Sequence, residues 1–190
     1  MDLNLELGKT PIRHQDCCLS LSSELLDKLT RIFTGSSSSS PDASPPSPPS
    51  VLSIGSGSGL LEAALLAHSS PGLIAIEGVE VQQQESQAPV NKYLPEPFYH
   101  TVRGTRDVSP RLGDEDVSGL MFVYPRQPGL VSRYVKALEQ MGSNVQGVVW
   151  LGPVADWEDF RPCFEGLSIE IRSGPDAGLD GYEMMAVMRR

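Results

Sequence analysis

Apolar and polar positions along this 190-residue chain switch between two periods. The run Val51–Ile54 is short and largely apolar. It is followed by Gly55-Ser56-Gly57-Ser58-Gly59 and then by the apolar stretch Leu60–His68, which predicts strand, tight turn and helix. Further strand-like runs occupy Gly72–Val81, Phe98–Gly104, Val117–Tyr124, Val145–Leu151, Leu167–Arg172 and Tyr182–Met188. Helical spacing appears in Leu19–Phe33, where Leu25, Leu26, Leu29, Ile32 and Phe33 share a face. Ser22 or Ser23 can cap that helix and Gly35 can end it. Gly129–Gly142 reads as a helix with Leu130, Tyr134 and Leu138 on one side, and Trp157–Phe164 as a short one. Gln82–Pro97 is polar and broken by prolines, so a short or irregular helix is expected there, and Asp114–Asp116 reads as a turn. Strands alternating with helices predict an open α/β sheet, whose ligands lie beyond the carboxyl ends of the strands.

The glycine turn narrows the ligand. Glycines let a backbone approach a ligand with no Cβ between them, and the helix that follows points its first amides at the same place. The spacing G-x-G-x-G does not fit the dinucleotide fingerprint G-x-G-x-x-G, because Leu60 or Glu62 stands where its third glycine belongs. No Gly-Lys-Ser/Thr follows, which excludes a phosphate-cradling P-loop.

Gly55, Gly57 and Gly59 in this setting resemble the first motif of the class I S-adenosylmethionine-dependent methyltransferases. Ser53 stands where that family usually has an acid. Glu80, 21 residues after Gly59 at the end of the second expected strand, resembles the family's second motif; Glu77 competes for that role. The resemblance covers about residues 50–190. It implies a Rossmann-like α/β fold: an open, mostly parallel sheet with helices on both faces and an antiparallel hairpin at the C-terminal end. It also implies S-adenosylmethionine as cofactor, held by Ser53, Gly55, Ser56, Gly57, Gly59 and Glu80, with Glu80 on the ribose hydroxyls. The loop Gly104–Asp107, through Thr105 and Arg106, would meet the adenine. The helix before the glycine turn would form part of a substrate lid, or simply pack on the sheet.

The fourth strand ends Tyr124-Pro125-Arg126 and lacks the Asp/Asn-Pro-Pro-Tyr of methyltransferases that modify bases or glutamine, which argues against such an acceptor. Tyr124 is a candidate for stacking on adenine or lining the acceptor pocket, and equally for capping the sheet edge. His100 is the candidate general base, and equally a packed strand residue. The function implied is methyl transfer to a small-molecule or protein acceptor. The alternative is a methyltransferase-like binding or scaffold protein without catalysis.

Composition sets the outer bounds. A net charge of −9 with no basic stripe argues against a nucleic-acid partner. Cys17, Cys18 and Cys163 form neither a disulfide framework nor a zinc pattern, so no metal is expected and a reducing, cytoplasmic setting is. No run of 18 apolar residues exists and the N-terminus has no apolar signal core, so no membrane or secretory segment is expected. The expected organisation is an N-terminal tail and helix over residues 1–34, a mobile Ser/Pro-rich linker over 35–50, and the Rossmann-like domain over 51–190.

Overall fold

The computed structural model describes residues 5–35, 48–82 and 91–190. In chain order its elements are β1 (Ile12–His14), β2 (Cys17–Leu21), α1 (Ser23–Thr34), β3 (Ser50–Ile54), α2 (Leu60–His68), β4 (Ala75–Val81), β5 (Tyr99–Val102), β6 (Val117–Val123), α3 (Pro128–Gln140), β7 (Gly147–Pro153), α4 (Trp157–Phe160), β8 (Ser168–Ser173), α5 (Gly174–Ala177) and β9 (Glu183–Arg189). Strands β3 to β9 form one seven-stranded sheet in the order β5-β4-β3-β6-β7-β9-β8. From β5 to β7 every pairing is parallel, and β9 runs antiparallel to both β7 and β8. The expected open, mostly parallel α/β sheet with a closing antiparallel hairpin is therefore present.

Side-chain alternation divides the core. Val51, Ile76, Met121, Val149, Leu151, Met185 and Val187 face α1 and α2, meeting Leu25, Leu29, Leu61 and Leu65. Leu52, Ile54, Phe122, Trp150 and Met188 face the other way, onto Tyr134 and Leu138 of α3 and the aromatic group Trp157, Phe160 and Phe164. Helices thus cover both faces, and β3, β6 and β7 are almost continuously buried, which is why they read as apolar runs in the sequence.

The helix expected over Leu19–Phe33 begins later, at Ser23. Leu19–Leu21 belongs to β2, which pairs antiparallel with β1 in a separate hairpin. Ser22 is the reason for the break. Its backbone is extended (φ −148°, ψ 159°) and its hydroxyl accepts from Leu25 N at 3.0 Å, capping α1 and stopping the helix from running back. The 173–181 connection carries the short α5, capped by Ser173. Most of the linker expected over 35–50, and much of the segment expected as an irregular helix over 82–97, lie outside the described residues. No helix among the described residues is long and apolar enough to cross a membrane.

Candidate functional site

The strand order reverses at β3, whose neighbours β4 and β6 lead the chain off in opposite directions. This is the point where an α/β sheet opens a crevice beyond its strand ends. The glycine turn fills that position. Gly55, Gly57 and Gly59 all have left-handed backbone, with φ of 77°, 56° and 78°, a conformation other residues rarely adopt. A Cβ on Gly55 or Gly57 would meet nothing within 4 Å, so those two leave open space. A Cβ on Gly59 would lie 2.5 Å from Asn91 Oδ1, so the third glycine serves packing at the start of α2.

The acid of the second strand comes to this turn. Glu80 Oε2 accepts from Gly57 N at 2.9 Å, and Oε1 accepts from Val81 N at 3.0 Å. A carboxylate offers about four acceptor positions, so both oxygens keep capacity for further donors. Gly78 completes the approach, since a Cβ there would sit 2.6 Å from Ser56 Oγ. Ser56 Oγ is itself buried without a partner.

Ser53 is fully buried and faces α2, where its hydroxyl donates to Glu62 Oε1 at 2.5 Å. The other oxygen, Glu62 Oε2, is buried and unpartnered. Burial pushes this carboxyl up to about 7, against the pull of the Ser53 hydrogen bond.

The β1–β2 hairpin lies over the turn. Ser58 Oγ donates to the Asp16 carbonyl at 2.6 Å. The Asp16 carboxylate holds Lys92 Nζ at 2.8 Å and Tyr93 Oη at 2.7 Å, and those two bonds keep its pKa low. The amides of Lys92 and Tyr93 donate back to the Ser58 carbonyl at 2.8 and 3.1 Å. Farther along, Ser20 of β2 binds Glu183 of β9 through both its amide and its hydroxyl. Glu183 is fully buried and also accepts from Tyr124 Oη at 2.6 Å and Tyr182 Oη at 3.3 Å. Tyr124 has left-handed backbone (φ 47°), and its hydroxyl is held well above the ordinary phenol range by burial and by Glu183. Cys17, on the same hairpin, is pushed up to about 12 by burial, which leaves it a thiol rather than a nucleophile.

The remaining candidates lie elsewhere. Thr105 and Arg106 are exposed beyond the end of β5, where the Thr105 carbonyl accepts from Arg133 Nη2 at 2.7 Å. His100 pairs with Val79, so its ring shares the sheet face of Glu77 rather than that of Glu80. Its Nε2 lies 2.7 Å from Glu77 Oε2, and Arg111 grips the same carboxylate at 2.9 and 2.6 Å. Burial raises the Glu77 carboxyl, but the Arg111 and His100 hydrogen bonds outweigh it and hold the pKa below 4.5. His100 and Glu77 therefore belong, with Arg111, to a hydrogen-bonded network on the far face, while Glu80 is the acid brought to the glycines.

No family model matches this chain, and no curated protein does. Solved structures do. The methyltransferase domain of bacterial CtHen1 superposes with a TM-score of 0.56 at 14% identity, over 88% of this chain and 98% of that one. Small RNA methyltransferase HEN1 gives 0.55 at 13% identity, over 90% of this chain but 25% of its own length. Human methyltransferase 10 domain containing protein gives 0.53 at 10% identity, over 94% and 85%. The chain has the class I methyltransferase fold.

Within that methyltransferase fold, the candidates Gly55, Gly57, Gly59 and Glu80 come together at one turn. Sequence reasoning passed over Glu62 and Glu183. Each had a signal: Glu62 is a lone charge inside the apolar run Leu60–Leu66, and Glu183 opens a strand that is buried along most of its length.

Proposed function

We propose that this chain is an S-adenosylmethionine-dependent methyltransferase acting on a small-molecule or protein acceptor. The observation that carries the reading is the Glu80 carboxylate bonded to the Gly57 amide at 2.9 Å. The carboxylate lies directly beside a turn whose first two glycines leave open space, which supports reading it as the acceptor for the ribose hydroxyls. In this reading Gly55, Ser56, Gly57 and the first amides of α2 hold the amino-acid and sugar portions of the cofactor. Ser53 supports them from below, and Thr105 and Arg106 stand at the adenine side. The unpartnered Ser56 Oγ and Glu62 Oε2 flank the same turn and fit a polar ligand.

When bound, the sulfonium supplies an electrophilic methyl on an excellent leaving group, so the protein's work is alignment and exclusion of water. The β1–β2 hairpin, tied to Ser58 and Glu183, excludes water from above. Tyr124 donates its hydroxyl to Glu183 and stays protonated, which leaves its ring to line the acceptor side. His100 is committed to Glu77 on the opposite face and is not proposed as the base. The cytoplasm remains the proposed compartment, supported by three free cysteines.

The alternative, a methyltransferase-like binding protein, is favoured by one feature: Ser53 replaces the acid otherwise found in the first motif. Calorimetry with S-adenosylmethionine, its demethylated product S-adenosylhomocysteine and NAD separates the readings. Saturable binding of S-adenosylhomocysteine is expected, lost in Gly57→Asp and weakened about tenfold to a hundredfold in Glu80→Ala. Tight NAD binding without response to the sulfonium ligands would overturn the proposal. Cofactor binding with no methylation across a broad acceptor panel would establish the alternative.

A further inference from the structure

Glu62 lies in the first turn of α2, yet it is only 1% exposed. A glutamate so placed ordinarily stands in water, its charge complementing the positive end of the helix. Here it turns inward to the carboxyl end of β3, where Ser53 holds one oxygen and the other has no partner. An unpaired buried polar atom is costly, and a carboxylate oxygen more so. The groups that act on it are the Ser53 hydroxyl from β3, its own backbone amide, Glu80 from β4 and Cys17 from β2. None of these is a cationic side chain, and Glu80 repels a second anion.

We propose that Glu62 receives the ammonium group of the adenosyl amino acid, with Ser53 orienting the carboxylate as a positioning residue. The inference rests on the function proposed above and assigns the amino-acid end of that site. An alkylammonium supplies both things the Oε2 atom lacks, a hydrogen-bond donor and an opposite charge. The hydroxyl at position 53 then has a reason: it leaves room for the carboxylate to come from the helix, where an acid at 53 would repel it. Selectivity follows, because an adenosyl ligand without the amino-acid arm leaves Oε2 as it is. In the free protein below about pH 7 a proton occupies the carboxyl for most of the time, because burial raises its pKa to about 7. An arriving ammonium displaces that proton.

The test compares S-adenosylhomocysteine with 5′-methylthioadenosine, which lacks the amino-acid arm, on the full chain and on Glu62→Gln. Calorimetry at pH 6 in buffers of different ionisation enthalpy counts the protons released. The expected result is binding of S-adenosylhomocysteine weakened about tenfold or more in the variant, with methylthioadenosine changed less than about twofold. Release of about one proton per S-adenosylhomocysteine is expected in the wild type and none in the variant. Where methylthioadenosine binds too weakly to titrate, the proton count decides. Unchanged S-adenosylhomocysteine binding in the variant, equal loss for both ligands, or no proton release would overturn the inference and leave the proposed function standing. Binding of neither ligand by the wild type would overturn both.

Discussion

Glu62→Gln should change the pH dependence of folding stability in a direction opposite to that of most carboxylate substitutions. In the wild type, burial raises the Glu62 carboxyl from 4.5 to about 7. Between those two values the native state binds a proton that the unfolded chain has released, so stability falls as pH rises. The favourable contribution of the neutral carboxyl is complete below about pH 4.5 and is lost as pH climbs through about 7. Each tenfold change in proton affinity corresponds to about 1.4 kcal/mol, which places the difference near 3 kcal/mol by pH 8. Glutamine keeps the shape and the acceptor for Ser53 but cannot ionise.

The quantity to measure is therefore the stability of the variant minus that of the wild type, from urea unfolding at intervals between pH 4.5 and 8.5. Any fixed effect of the amide, such as an unpaired N–H where Oε2 stood, is the same at every pH and drops out of the slope. The expected change is about 3 kcal/mol in favour of the variant across that range, or roughly 6–12 °C in melting temperature for a chain of this size. Parallel profiles for the two proteins would refute the reasoning, because they would mean that Glu62 titrates alike in the folded and unfolded chain. A variant that gains stability while losing the ammonium-bearing ligand would mark a residue retained for binding at the expense of the fold.

Glu183→Gln puts an amide donor against the donors of Ser20 and Tyr124; it should cost about 2–4 kcal/mol and speed hydrogen exchange at the Ser20 amide, and unchanged exchange would show that the hairpin is held by other contacts. Arg111→Met removes the cation that holds Asp116 down to about 2 and Glu77 below 4.5. Both carboxylates contribute stability above their ordinary pKa values that is lost as pH falls from about 4 toward 2. Urea midpoints over that interval should therefore fall more steeply in the wild type than in the variant, which loses about 3 kcal/mol at pH 7 by leaving the buried Glu77 with His100 as its remaining side-chain partner; equal slopes would sink the assignment.

What could be read from the sequence depended on how far away the deciding partner lies. Strands β3, β6 and β7 were legible because burial on both faces writes itself locally as an apolar run. Gly55, Gly57, Gly59 and Glu80 were legible because a turn and one β-α-β unit set their separation. The β1–β2 hairpin was not, since its anchors are remote: Ser20 meets Glu183, 163 residues away, and Ser58 meets Asp16, 42 residues away. A local window over Leu19–Phe33 saw only helical spacing and extended the helix through β2. The surroundings of His100 were hidden for a subtler reason. Its strand was anticipated, but the face its ring occupies follows from pairing with Val79, and that pairing turns it to Glu77 and Arg111 instead of the crevice. Glu62 shows where the missing information could have been sought. A serine, Ser53, stands where the resembled family has its acid, and the neighbouring helix is buried from Leu60 through Leu65, with that one glutamate as the only charge in the buried stretch. A helical stretch buried all round has no solvated face on which to put a charge. A carboxylate in such a helix therefore has to be satisfied inside the protein or by what the protein binds, and among the described residues the protein satisfies only one of its two oxygens.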